Sequence, residues 1–219
     1  MTYILNLETA TKNCSVSLAA DGKTISCKEI AELGYSHAEK LHLFIEEVIS
    51  EAGISLSDLK AIAVSQGPGS YTGLRIGVSA AKGLSYALQI PLLAVDTLAS
   101  LAQQVVAEDG LIVPMIDARR MEVYSAIFNS NKEKIREVQA QIITEESFAD
   151  ISETVYFIGD SNEKVKSVVT KSNFVFLDNH IYPSANEMSG ISYKKFQEKD
   201  FVDVAYFEPY YLKDFMFAK

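Results

Sequence analysis

The segment Gln66-Gly67-Pro68-Gly69-Ser70-Tyr71-Thr72-Gly73 carries the strongest local chemical signal in the chain. A short apolar run precedes it and a stretch rich in small residues follows, so it reads as a loop leading from a strand into a helix. Exposed amides and the helix dipole at such a place favour an anion such as a phosphate. The Gly-Lys-Ser/Thr ending of a P-loop is absent, as is a Gly-x-Gly-x-x-Gly fingerprint. On spacing alone, a tight turn accounts for the loop equally well. A second set of residues lies in three polar turns: Glu8, Thr9 and Thr11, then Asp117 and Arg119, then Gly159 and Asp160. Facing one another across a cleft, these carboxylates would suit a metal that bridges nucleotide phosphates. The same Asp and Thr residues serve as ordinary caps of their own turns, and that is the reading the spacing favours.

The other reactive side chains do not assemble. His37 and His42 are five apart, about 140° around a helix, so they cannot share a metal as an i, i+4 pair does. His180 stands alone, and neither His-Glu-x-x-His nor Gly-x-Ser-x-Gly occurs. Cys14 and Cys27 have no histidine near them in sequence. No catalytic set and no metal site are expected, and the aromatic tail 206–212 is expected to be packing.

These residues must be positioned by elements that the apolar pattern outlines. Tyr3–Leu7 reads as a buried strand. Cys14–Ala20 and Lys23–Ile30 read as a hairpin around Asp21-Gly22, with Ala20 opposite Lys23, Leu18 opposite Ile25 and Val16 opposite Cys27. In that register the two cysteines are only diagonal, about 7–8 Å apart, and free thiols are expected. Ser36 and Glu39 fit a capping box for a helix over 36–53. Leu41, Phe44, Ile45, Val48, Ile49 and Ala52 form its apolar stripe, which either packs on its own sheet or meets a partner. Ala61–Ser65 is the next strand. The helix after the glycine loop runs to about Gln89, and its Gly73, Gly77, Ala80, Ala81, Gly83 and Ala87 suggest close approach of another backbone. Pro91–Val95 is a strand, and Thr97 caps a helix to about Glu108.

The pattern then restarts. Strands are expected at 111–116, 122–128, 134–142, 155–158 and 174–177, with helices at 145–151, from 162 to about 170, and at 184–196. Both halves read strand, polar turn, hairpin, helix, strand, loop, helix, with Val64–Gly69 and Phe157–Ser161 in corresponding places. The implied architecture is α/β with two duplicated lobes: 1–105, then 106–205, then a tail, 206–219.

The 219 residues include 20 basic and 29 acidic side chains, a formal charge of −9 that disfavours unaided nucleic-acid binding. No apolar run reaches the ~18–20 residues of a bilayer span, so no membrane association is expected. Met1-Thr2-Tyr3-Ile4 lacks a basic leader, and with free cysteines this gives a cytoplasmic expectation.

Gln66-Gly-Pro-Gly-Ser-Tyr-Thr-Gly-Leu-Arg-Ile-Gly77 closely resembles the signature of the TsaB (YeaZ) family of tRNA threonylcarbamoyladenosine biosynthesis proteins. The resemblance continues through Ile4–Leu18, His37-Ala-Glu-Lys-Leu41, Ile116-Asp-Ala-Arg-Arg-Met-Glu-Val-Tyr124, Pro183-Ser-Ala and Pro209-Tyr-Tyr-Leu-Lys213. It implies an actin-like ATPase or sugar-kinase-like fold of the ASKHA, ribonuclease H-like class. It also implies a non-catalytic partner and activator of the paralogue TsaD, with the ATPase TsaE as third component. Together they would form N6-threonylcarbamoyladenosine at position 37 of ANN-decoding tRNAs. A homodimer through the same face is implied when the chain is alone, and tRNA contact only through the complex. By this resemblance the partner face is made of the first two helices, with His37, Leu41, Phe44, Ile45, Val48, Gly73, Ile76, Gly77, Ala80, Ala81 and Leu84. The signature loop residues are Gly67, Pro68, Gly69, Ser70, Thr72, Gly73 and Arg75.

Glu8 stands where many of these relatives carry Asp, and the turn after it lacks glycine. Kinase-type members of the fold use both to approach phosphate and metal. Glu8, Thr9, Thr11, Asp117, Arg119, Gly159 and Asp160 are therefore expected to form at most a vestigial nucleotide cleft. No tightly bound cofactor is expected, with ATP or ADP at a heterodimer interface left open. A weak ATPase of the ASKHA class is the alternative, and an M22-type metallopeptidase a more distant one.

Overall fold

The computed structural model describes residues 1–31 and 37–213. The proposed cap Ser36 lies outside them. β1 (Tyr3–Glu8), β2 (Asn13–Ala20) and β3 (Lys23–Ala31) form an antiparallel meander, and β4 (Leu59–Gly67) and β5 (Leu92–Asp96) add in parallel, giving the order β3-β2-β1-β4-β5. β6 (Leu111–Asp117), β7 (Glu122–Asn129), β8 (Lys134–Ile142), β9 (Val155–Gly159) and β10 (Phe174–Phe176) repeat that plan as β8-β7-β6-β9-β10, with the same antiparallel and parallel steps. β1 is buried along nearly its whole length because helices cover both faces of its sheet, which explains why Ile4, Leu5 and Leu7 are all apolar and why Asn6 and Glu8 are buried with them.

α1 (His37–Glu51) and α2 (Tyr71–Leu88) lie on one face of the first sheet. Leu41, Phe44, Ile45, Val48 and Ile49 enter a core with Leu5, Leu7, Val16 and Leu18. The stripe thus packs on its own sheet. α3 (Thr97–Ala102) and α5 (Ala185–Glu198) take the opposite face. Although α5 comes late in the chain, within the stretch 106–205, its Ala185 and Met188 pack with Ile4, Ala61, Ala63, Leu93 and Val95 of the first sheet. Serines do the rest: Ser17 Oγ donates to the Ala185 carbonyl at 2.7 Å, and Ala185 N–H donates to Ser15 Oγ at 3.0 Å. The second lobe has its own core around Met115, Val123, Phe148, Phe157 and Val165.

Four local expectations change. The hairpin does pair Ala20 with Lys23, but a bulge follows Thr24, so Ser26 faces Leu18 and Cys27 faces Ser17. Ile25 is the extra residue and is half exposed. Cys14 and Cys27 therefore point to opposite faces of the sheet, and both are free. The cap of α3 is Asp96, whose Oδ1 accepts from Leu98 N–H at 2.8 Å and Ala99 N–H at 3.1 Å, and the helix ends at Ala102. Residues 145–151 are not a helix but successive turns, with Phe148 left-handed at φ 63° so that its ring reaches Phe157, 5.2 Å away. α4 (Asn162–Lys166) stops short of residue 170.

The lobes are joined through α3, whose Leu98, Leu101 and Ala102 pack with Ile112, Ile116, Ala126, Phe128 and Ile158 of the second sheet, and at the turn of the β7–β8 hairpin. Lys134 Nζ pairs with Asp96 at 2.7 Å, and Lys132 Nζ donates to the Val105 carbonyl. Gln104 Nε2 donates to the Tyr182 carbonyl at 2.8 Å.

Candidate functional site

The glycine loop is filled by the chain itself. Ser70 caps α2, its Oγ accepting from Gly73 N–H at 3.2 Å, while Ser70 N–H donates to the Ala10 carbonyl at 2.7 Å. Thr9 Oγ1 donates to the Gly73 carbonyl at 2.8 Å. A Cβ on Gly69 would stand 2.3 Å from the Ala10 oxygen, one on Gly73 2.1 Å from the Thr9 oxygen, and one on Gly77 2.2 Å from Thr9 Oγ1. Gly69, Gly73 and Gly77 are spaced by four, so they share one face. That face receives the turn between β1 and β2. The close backbone approach expected from the small residues is thus real, and it is internal. An amide that a phosphate would use, Ser70 N–H, is already bonded. Gly67, at φ 111°, donates its N–H to Thr97 Oγ1 at 3.1 Å, and Pro68 is buried beside it. This explains why Thr97 does not cap α3.

Glu8 lies beneath this turn, fully buried. Its Oε1 accepts from Ala10 N–H at 2.6 Å, while Oε2 has no hydrogen-bond partner. Burial pushes its carboxyl up to about 7, against the opposing pull of nearby hydrogen-bond donors. The Thr11 carbonyl accepts from His37 Nε2 at 2.8 Å, fastening the turn to the start of α1. Across the cleft, Asp160 Oδ1 accepts from Asp117 N–H at 2.8 Å and Asp117 Oδ1 from Arg119 N–H at 2.7 Å. Burial raises the Asp160 carboxyl, and the positive charge of Lys12, on the first turn, acts in the opposite direction. Lys12 thus brings one side chain of the first turn within electrostatic reach of the second-lobe turns. Their carboxylates, however, are engaged in capping: Lys164 Nζ holds Asp117 Oδ1 at 2.6 Å and the carbonyls of Arg120 and Glu122. Gly159, at φ 114°, is pressed against Met115, where a Cβ would lie 1.8 Å from the carbonyl oxygen. Among the described residues, no three His, Cys, Asp or Glu side chains are grouped to hold a metal ion.

The helix pair offers a different face from the one expected. His37, Leu41, Phe44, Ile45 and Val48 are buried within the lobe, as are Gly73, Gly77 and Ala81, so none of these eight can be a contact surface. The amphipathic pattern located the lobe's own core, the commoner use of such a stripe. Ile76, Ala80 and Leu84 are half-buried and reach the outside. The outward residues are Leu43 of α1 and Ser79, Gly83, Tyr86 and Ala87 of α2, of which the sequence singles out only Gly83 and Ala87, as small residues. Gly83 has no atom within 4 Å of a built Cβ, and Tyr86 is 81% exposed. A groove runs beside them, lined by Lys82, Gly83, Tyr86, Asp203, Val204 and Ala205. The signal was available: Gly83 falls off the face shared by Gly69, Gly73 and Gly77. Thr72 and Arg75 are exposed at the start of α2, with the Arg75 guanidinium 4.2 Å above the Tyr71 ring.

With this geometry in place, the comparisons with known proteins are specific. The family model for the tRNA N6-adenosine threonylcarbamoyltransferase TsaD matches residues 31–213. The TsaB protein of Escherichia coli K12 is 31% identical over 220 residues, covering 96% of this chain and 94% of that protein. The chain belongs to the TsaB (YeaZ) family. The TsaB protein of Bacillus subtilis is 29% identical over 219 residues, covering 96% of this chain and 93% of its own length. The solved structure of YeaZ from Pseudomonas aeruginosa superimposes with a TM-score of 0.84 at 28% identity, covering 97% of this chain and all of that one. The fold is accordingly the two-lobe actin-like, sugar-kinase-like α/β fold, and the duplicated sheet order is its signature in this molecule.

Proposed function

We propose that this protein acts in the formation of N6-threonylcarbamoyladenosine on tRNA as the non-catalytic partner that docks on and activates TsaD. Its relatives are named for that pathway, and the matching family model is that of the transferase itself. The observation that carries the non-catalytic reading is the filled glycine loop. Thr9 and Ala10 fill the space against Gly69, Gly73 and Gly77, and Ser70 N–H, an amide an anion would use, is spent on the Ala10 carbonyl. With that amide spent, and with no glycine in the turn after Glu8, the non-catalytic reading is better supported than the ATPase alternative. TsaE is the expected third member, tRNA is met through the assembly, and the working compartment is the cytoplasm. Any ATP or ADP would be shared at the heterodimer interface rather than held by this chain alone.

The docking face is the outward side of α1 and α2: Leu43, Ile76, Ser79, Ala80, Gly83 and Tyr86. Small residues in line let a partner helix approach closely, and the same face would pair two copies of the chain in isolation. Reconstitution tests the function: TsaD and TsaE should modify tRNA far faster with this chain than without it, and equal rates would sink the proposal. Gly83→Arg tests the face, because open space around Gly83 leaves the lobe able to fold. Its loss of co-elution with TsaD, with an unchanged circular-dichroism spectrum, is expected; retained co-elution would move the interface elsewhere. Gly77 is unsuitable for this test, since any side chain there meets Thr9.

A further inference from the structure

We propose that residues 202–213 form a strap that latches the cleft end of the second-lobe hairpin onto the first lobe, released by undoing one ion pair and one aromatic contact. The strap begins at the edge of the first sheet, where Val202 N–H donates to the Leu92 carbonyl at 3.0 Å. Lys82 of α2 then takes the carbonyls of Ala205 at 3.1 Å and Phe207 at 3.0 Å. Tyr210 N–H donates to the Gln66 carbonyl at 2.7 Å, and the Tyr210 oxygen sits 2.8 Å from where a Cβ of Gly67 would stand. The strap is therefore laid directly on the glycine loop. Tyr211 follows, its ring centre 5.1 Å from that of Tyr71 and its hydroxyl accepting from Arg75 Nε at 3.3 Å. Finally Lys213 pairs with Glu122 of the second lobe.

The location of that last contact gives the strap its role. Glu122 is the first residue of β7 and follows directly on the cleft turn that contains Asp117 and Arg119. The other end of β7 leads into Lys132 and Lys134, which are tied to Val105 and Asp96. At ~3.3 Å per residue the two attachments are roughly 23 Å apart. One end of the hairpin is thus hinged at the crossover between lobes, and the other is latched by the strap. A partly exposed lysine–carboxylate pair is weak and screened by salt, which suits a latch better than a permanent joint. The stack of Arg75, Tyr71 and Tyr211 aligns Lys213 toward Glu122.

Hydrogen–deuterium exchange on the full chain tests this. In a Tyr211→Ala, Lys213→Ala double variant, peptides covering 117–122 and 66–75 should exchange at least tenfold faster, while β1 and β6 stay as slow as before. Reversing the pair, Lys213→Glu with Glu122→Lys, should restore slow exchange at 117–122 when the tyrosine is intact. Unchanged exchange at 117–122 in the double variant would overturn the proposal. So would an increase spread evenly over β1 and β6, which marks general destabilisation, or failure of the reversed pair to restore protection.

Discussion

In the first lobe a 15-residue helix makes the step from β3 to β4, and an 18-residue helix the step from β4 to β5. In the second, the corresponding steps are made by turns around Phe148 and by a helix of five residues. The strand order is the same in both. One duplicated unit has kept two long helices with an outward face, and the other has reduced them to what its own core requires. Under the proposed function, recognition falls to the first lobe, and the second supplies a braced hairpin and a wall of the cleft.

The glycines that end β4 and β9 allow this comparison to be broken. Both have positive φ, but Gly159 is backed by the Met115 carbonyl and Gly67 by the more yielding tail. Gly159→Ala should cost more than ~4 kcal/mol and leave little folded protein, whereas Gly67→Ala should cost about 1–3 kcal/mol in a denaturant melt. Equal effects would mean that the two positions are not held differently. A smaller contrast lies within α2. Gly77→Ala should destabilise by about 2–3 kcal/mol, because its Cβ would meet Thr9 Oγ1, while Gly83→Ala should stabilise by up to ~1 kcal/mol by relieving an unneeded glycine.

Glu8 sharpens the comparison through pH. Its folded value of about 7 lies above the ordinary 4.5, so the fold favours the neutral acid. That contribution is fully present below pH 4.5, fades as pH rises, and is gone above about 7, a change on the order of 3 kcal/mol. Glu8→Gln should flatten the stability profile over this window, as read by urea midpoints, and should make the protein more stable than wild type at pH 8. The smallest expected effect is at the hinge. Lys134→Met should cost ~1 kcal/mol by removing the partner of a half-buried Asp96 that also caps α3.

Much of the fold was legible because strands reveal themselves by apolar runs and because the order of elements repeats. β8 was expected over 134–142 and is found there. What could not be read was decided by distant contacts. Phe148 leaves a helix-compatible stretch because its ring is worth more inside the second core than a turn of helix outside it. Ile25 is displaced by a bulge that no local pattern announces. The candidate site shows the same division. The small residues of the second helix, Gly73 and Gly77 among them, announced that a backbone comes close, but only the packed molecule identifies it as residues 9–10. The stripe on α1 was legible with two readings, its own sheet or a partner, and the packed molecule bears out the first, since sequence records that a face is apolar and not what covers it.

The late helix α5 has a consequence for how the molecule comes into being. Asn6 Nδ2, on the first strand, reaches Ser189 Oγ across 183 positions of sequence, at 3.4 Å. During synthesis the first sheet is complete at Asp96, while the face that α5 covers therefore stays partly open until residues 185–198 have been made. Pairings of such long range are slow to form and leave surface open to the wrong neighbours meanwhile. A chain ending before residue 185 would lack the contacts that Ala185 and Met188 make on the first sheet.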